Sequence, residues 1–106
     1  MGFKYHPGLM ITAIVLIQTE RGRTQTAAEA LLEVPGVAEV YSVAGEYDLV
    51  AIVRVRRYEQ MAEVVPQRIA QVAGLLRTHT LMAFQYFSRH DLERMWGIGL
   101  DESASA

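Results

Sequence analysis

Apolar positions follow two different periods along the chain, and these periods predict six secondary-structure elements. Segments rich in β-branched residues predict strands, and segments with apolar residues three or four positions apart predict helices. In chain order, the predicted elements are a strand over 10–17, a helix over 24–33, strands over 37–44 and 49–55, a helix over 58–72 and a strand over 75–87. The predicted order is therefore β-α-β-β-α-β.

Local signals indicate where these elements begin, break and turn. Thr26 and Glu29 have the spacing of a capping box at the start of the first helix. Pro66 lies inside the second helix, where a residue without a backbone N–H predicts a kink or a split. Gly45 to Asp48 is so short a connection that it predicts an antiparallel hairpin between the second and third strands.

The predicted order is typical of the ferredoxin-like, split βαβ fold of the α+β class. Right-handed crossovers would place both helices on one face of a four-stranded antiparallel sheet. The first strand is apolar on both faces, because Ile14 and Leu16 alternate with Val15 and Ile17. Since the helices cover one face only, the other face predicts a partner. A second copy of the chain, paired sheet face to sheet face in a dimer, is the simplest one.

The same pattern divides the chain into four parts. Residues 1–9 are expected to be an N-terminal extension, and Met1 and Met10 are both candidates for the natural start. Residues 10–87 form the predicted ferredoxin-like domain. Residues 88–100 predict a short C-terminal helix that either docks on its own subunit or grips a neighbour, and 101–106 predict a disordered tail.

Composition excludes several classes of function. The chain has 106 residues, a net charge of −2 and no cysteine. Two arginine groups, Arg21/Arg23 and Arg54/Arg56/Arg57, have glutamates nearby, so they are interpreted as solvated surface rather than a DNA-binding patch. No segment predicts a membrane span or a signal peptide, so a cytoplasmic location is expected. No catalytic, cofactor or metal-ligating pattern is present, so neither an enzyme nor a bound cofactor or metal is expected.

Two motifs give the chain a resemblance to a known family. The first is Pro-Gly-Val at 35–37, followed by Val40 and by Gly-Glu-Tyr-Asp-Leu at 45–49. The second is Gly-Leu-Leu-Arg-Thr-His-Thr at 74–80. Together they resemble the effector-binding (RAM) domain of the Lrp/AsnC transcription regulators, and the resemblance covers about residues 10–87.

The resemblance implies homodimers that assemble further, with an amino-acid effector bound between subunits. The residues expected to bind the effector are Gly45, Glu46, Tyr47, Asp48, Thr78 and Thr80. Their chemistry is suitable, because glycine allows close backbone approach and a carboxylate can face an ammonium group. Residues 1–9 are too short for the family's DNA-binding domain. We therefore expect a stand-alone effector domain, without direct nucleic-acid or membrane contact, that acts through a partner such as a full-length family member.

Three other interpretations remain open. The turn can be a hairpin turn alone, in which Gly45 supplies a positive φ and Asp48 bonds local backbone. The chain can be a structural assembly domain that binds no ligand. Dimeric ferredoxin-like domains also include cofactor-independent monooxygenases, in which His79 or Tyr47 would be the reactive residue, but a fold analogy alone is weak support for an enzyme.

Overall fold

The computed structural model describes residues 10–89. Its strands and α-helices are β1 (Ile11–Thr19), α1 (Thr24–Leu32), β2 (Val37–Ser42), β3 (Leu49–Val55), α2 (Tyr58–Glu63) and β4 (Leu75–Met82). A π-helical turn (Val64–Arg68) and a 3₁₀ turn (Ile69–Gln71) follow α2 directly. The predicted extension over 1–9 and the tail over 101–106 lie outside the described residues, as does the predicted C-terminal helix beyond Arg89.

The four strands form one antiparallel sheet in the order β2-β3-β1-β4. In β1, Ile17 pairs with Leu49 of β3 on one side and with Thr78 of β4 on the other. The hairpin predicted between β2 and β3 is present, since Ser42 pairs with Leu49. This order is that of the ferredoxin-like α+β fold, which confirms the fold class.

One face of the sheet packs against both helical segments and forms the core. Ala13, Val15 and Ile17 of β1 are fully buried there. The other core residues come from β3 and from both helical segments: Leu49, Ala51, Val53, Val55, Ala27, Leu31, Met61, Val64 and Ile69. We call this the helix face of the sheet.

The opposite face, which we call the open face, is covered by no helix within residues 10–89. In β1 it carries residues that alternate with the buried ones, and these remain partly exposed. The ladder places their cross-strand partners on the same side. The open-face residues given by this register are Thr12, Ile14, Leu16, Gln18, Val50, Ile52, Arg54, Glu39, Tyr41, Arg77, His79 and Leu81.

The predicted fourth strand is too long. We expected it to reach Phe87, but β4 ends at Met82. The reason lies in its neighbour: β1 starts at Ile11, and Ala83 N donates to Thr12 O (3.0 Å) as the last bond of the ladder. Beyond that point there is no strand to pair with, and Phe84 is 95% exposed.

The predicted capping box at the start of α1 is wrong. The N-cap is Arg23, without a side-chain capping bond, which places Thr26 inside the first turn. There the Thr26 hydroxyl donates back to Arg23 O (3.1 Å). A hydroxyl within a helical turn can bond the preceding carbonyl, so it did not serve as a cap here.

Pro66 splits the second helix as expected. Proline has no N–H to donate to the carbonyl four residues earlier, and its ring crowds that carbonyl. The α-helix ends at Glu63 and a π-helical turn takes over, in which Ile69 N donates to Val64 O. The wider turn accommodates the proline while Val64 and Ile69 stay in the core.

Candidate functional site

The turn between β2 and β3 begins with a glycine that its backbone requires. Gly45 has φ +119°, a region that residues with a Cβ rarely adopt, and no atom lies within 4 Å of where its Cβ would be. The backbone at Gly45 is therefore open to solvent. Glu46 is exposed, and Tyr47 and Asp48 are partly buried.

Asp48 ties the turn to the end of β1. Its Oδ2 accepts from Thr19 N (2.8 Å) and lies 3.4 Å from Thr19 Oγ1, while its backbone N donates to Ile17 O (2.8 Å). Thr19 is buried, and its hydroxyl also lies 2.7 Å from Thr24 Oγ1 at the start of α1. The Asp48 carboxylate thus bonds the backbone at the end of β1 rather than the local backbone that the hairpin-only interpretation predicts, and it fixes the base of the turn.

Glu46 has a different neighbourhood, at the edge of the open face. Gln18 Nε2 donates to Glu46 O (2.9 Å), and the Glu46 carboxylate lies 4.0 Å from the guanidinium of Arg77 on β4. Both charged side chains are well exposed. A carboxylate and a guanidinium side by side complement the two charges of a free amino acid.

Thr78 and Thr80 point to the helix face, since they pair with the buried Ile17 and Val15. They nevertheless remain exposed, because neither helix extends over β4. The uncovered helix face of β4 is therefore a polar shelf beside the core, defined by Thr78 and Thr80. His79 points the other way, towards the open face opposite Leu16.

Four of the six predicted residues consequently form two groups on opposite sides of the sheet, and the other two, Gly45 and Tyr47, lie in the turn itself. The first is Glu46 with the open face, and the second is Asp48 with the shelf of Thr78 and Thr80. Within one subunit, the register does not direct these two groups to one point. Sequence reasoning missed three participants: Gln18, Thr19 and Arg77. The only sequence signal for these residues was their position: Gln18 and Thr19 follow the predicted first strand, and Arg77 directly precedes Thr78.

The described residues contain no group of three or more His, Asp or Glu side chains that could hold a metal ion. Within residues 10–89, no helix is long and apolar enough to cross a membrane.

Comparison with known proteins defines the class of this domain. A family model described as the Lrp/AsnC ligand binding domain matches residues 12–92, which include the turn, the shelf and all of the sheet except Ile11. The chain belongs to the Lrp/AsnC family of ligand-binding domains, and the resemblance inferred from its two motifs is confirmed.

The relatives are transcription regulators. An HTH-type transcriptional regulator of Pyrococcus furiosus is 37% identical over 76 residues, which cover 69% of this chain and 51% of that protein. The regulator FL11 of the same organism is 28% identical over 78 residues, which again cover 51% of that protein. The chain spans about half the length of these curated relatives. Because the family is non-enzymatic, the prediction that this chain is not an enzyme is confirmed, and the monooxygenase alternative has no support.

Solved structures share the fold. A protein from Thermus thermophilus is 51% identical, with a TM-score of 0.70 over 76% of this chain and 100% of its own. A feast or famine regulatory protein from M. tuberculosis, complexed with L-methionine, is 31% identical, with a TM-score of 0.60 over 74% of this chain and 52% of its own.

Proposed function

We propose that this domain binds a free amino acid and pairs with a second copy of itself, and that the bound effector alters its assembly in transcription regulation. The observation that carries the proposal is the family match over 12–92, which spans both the turn and the shelf. Since its relatives regulate transcription, we place this activity in the cytoplasm, with a full-length Lrp/AsnC regulator as a further partner.

Pairing through the open face is supported by its apolar centre. Ile14, Leu16, Val50 and Ile52 adjoin one another in the β1–β3 ladder, and Leu81 extends the patch onto β4 at 43% exposure. A contiguous apolar patch of this kind marks an interaction surface. Two copies related by a twofold axis would bury it sheet against sheet.

Effector binding is supported by the polar groups around the turn. The Glu46 carboxylate is available to an ammonium group, whereas Asp48 already accepts the Thr19 N–H. Arg77 and the hydroxyls of Thr78 and Thr80 supply partners for a carboxylate. Because these groups lie on two sides of one sheet, we propose that a second subunit completes the site. The relative from M. tuberculosis that was solved with L-methionine supports an amino acid as the effector.

A thermal-melt screen against the twenty amino acids, with light scattering on the same samples, tests the proposal. An effector at 100 times its dissociation constant should stabilise the protein by about 2.7 kcal/mol and change the scattering mass. Thr80→Val removes one shelf hydroxyl and should weaken this response. Thr26→Val, which removes an exposed hydroxyl on α1, should leave the response unchanged. If no amino acid shifts the melt, the effector proposal fails and a structural assembly domain is the better account.

A further inference from the structure

A second candidate site lies at the other end of the sheet. A cleft of about 320 Å³ opens there, lined by Met10, Pro35, Gly36, Arg54, Val55, Arg56, Gln60, Glu63, Val64 and Arg68. Leu49 adjoins the Gly45–Asp48 turn at the start of β3, whereas Val55 ends β3 at the cleft. Roughly 20 Å of strand therefore separates the cleft from the turn.

The floor of the cleft is apolar and closely packed. Val55 and Val64 are each only 6% exposed. Gly36 crosses above them with φ +103°, and a Cβ at this position would lie 3.0 Å from Val64 Cγ2 and 3.4 Å from Val55 Cγ1. Met10 and Pro35 add further apolar surface. The cleft thus offers an apolar base to any molecule that enters it.

The rim carries more positive than negative charge. Arg68 lies 3.7 Å from Glu63, and Arg54 lies 3.6 Å from Glu39, so two of the three arginines have carboxylate partners. Within the described part of the chain, no carboxylate lies within 4.0 Å of the Arg56 guanidinium. With both pairs counted, the rim keeps one uncompensated positive charge.

Gln60 adds hydrogen-bond donors to this rim. Its Oε1 accepts from the backbone N of Arg56 (3.0 Å) and of Arg57 (2.9 Å), which fixes the side chain at the start of α2. Among residues 10–89 its amide nitrogen has no acceptor, so the N–H₂ group of this cleft-lining residue remains available to a ligand.

We propose that this cleft binds a small monocarboxylate with a short apolar chain. Arg56 would pair with the carboxylate and the Gln60 amide would donate to it. Met10 and Pro35, which are less buried than the two valines, would contact the apolar chain. A free amino acid fits less well, because Glu63, the only carboxylate in the lining, is already paired with Arg68 and leaves an ammonium group without a partner. The interpretation of Arg56 as ordinary solvated surface is then incomplete.

Three probes with the same apolar chain separate the contribution of the negative charge from the effect of an added ammonium group. Titration calorimetry with 4-methylpentanoate, 4-methylpentanamide and leucine compares an anion, a neutral amide and a zwitterion of closely similar shape. The carboxylate should bind at least about tenfold more tightly than the amide, as expected for a charge-assisted hydrogen bond. In this cleft leucine should bind more weakly than 4-methylpentanoate.

Three exposed positions provide variants that leave the core intact. Arg56→Gln should weaken 4-methylpentanoate binding by about tenfold. Glu63→Gln releases Arg68 from its ion pair and should tighten binding by up to about fivefold, the size of an exposed ion pair. Arg21→Gln removes an exposed arginine outside the cleft and should change nothing.

The proposal would be overturned if the carboxylate and the amide bound equally well, or if Arg56→Gln and Arg21→Gln had equal effects. It would also be overturned if 4-methylpentanoate did not bind at millimolar concentration. The test is independent of the proposed effector function. Thr80→Val should leave 4-methylpentanoate binding unchanged, and Arg56→Gln should leave the response to an effector at the turn unchanged.

Discussion

Along β1, neighbouring residues of the same chemical kind have opposite surroundings. Val15 and Ile17 are fully buried against the helices, whereas Ile14 and Leu16, on the other side of the strand, remain partly exposed. β3 repeats the contrast, with Ala51 and Val53 buried. One sheet therefore has a face whose apolar residues are buried within the subunit and a face whose apolar residues are not. This difference is the basis of the proposed pairing through the open face.

Truncation on the helix face should produce the largest effect. Leu31 is fully buried, so Leu31→Ala removes packed atoms and leaves a cavity, at a cost of about 2–5 kcal/mol in the free energy of unfolding. Leu16→Ala on the open face should cost much less at protein concentrations where the chain is monomeric. Urea unfolding of both variants measures the contrast, and equal losses in dilute protein would contradict it.

A charge on the open face should abolish self-association while the fold persists. Ile52→Glu would bury a carboxylate between paired sheets, which should weaken association at least about 100-fold. Leu32→Glu is the matched control, since Leu32 is 52% exposed at the end of α1. Sedimentation velocity and circular dichroism check both properties. If Ile52→Glu and the wild-type protein sediment alike, the open face is not the interface.

At the turn, the two carboxylates should contribute unequally to stability, as the two faces of the sheet do. Asp48→Ala leaves the Thr19 N–H without its acceptor and should cost about 1–3 kcal/mol of stability. Glu46→Ala removes an exposed pair at 4.0 Å and should cost about 1 kcal/mol or less. Thermal unfolding of the two variants without ligand measures the difference. A larger loss for Glu46→Ala would refute the assignment of Asp48 as the structural member.

Sequence periodicity was sufficient to predict the architecture, because burial within one subunit determines which residues alternate. The bounds of β3 agree with the prediction, Leu49 to Val55, since buried residues alternate along the whole strand. The end of β4 could not be predicted from its own residues, because it depends on where the neighbouring β1 begins. The start of α1 at Thr24 agrees with the prediction, but the predicted capping box does not, since Thr26 bonds a carbonyl of its own turn instead of capping the helix.

The candidate site was less predictable than the fold. The motif located the turn correctly, but it did not reveal that Asp48 is held by Thr19 or that Glu46 lies beside Arg77. These contacts join residues roughly 30 positions apart in the chain. No local pattern in one sequence encodes such a pairing. By contrast, the alternation of side chains along a strand is enough to put His79 and the two threonines on opposite faces, as the structure has them.

The most direct test of sheet-to-sheet pairing is a distance between identical spin labels on the two subunits. The chain has no cysteine, so Ala30→Cys on the exposed surface of α1 provides a single attachment point. If the open faces pair, the helices lie outermost and three layer spacings of about 10 Å separate the labels by about 30 Å or more. Pulsed electron–electron double resonance should detect that distance at concentrations where the dimer forms. A distance under about 20 Å would indicate helix-to-helix docking, and no coupling at any concentration would indicate a monomer; either result would contradict the account.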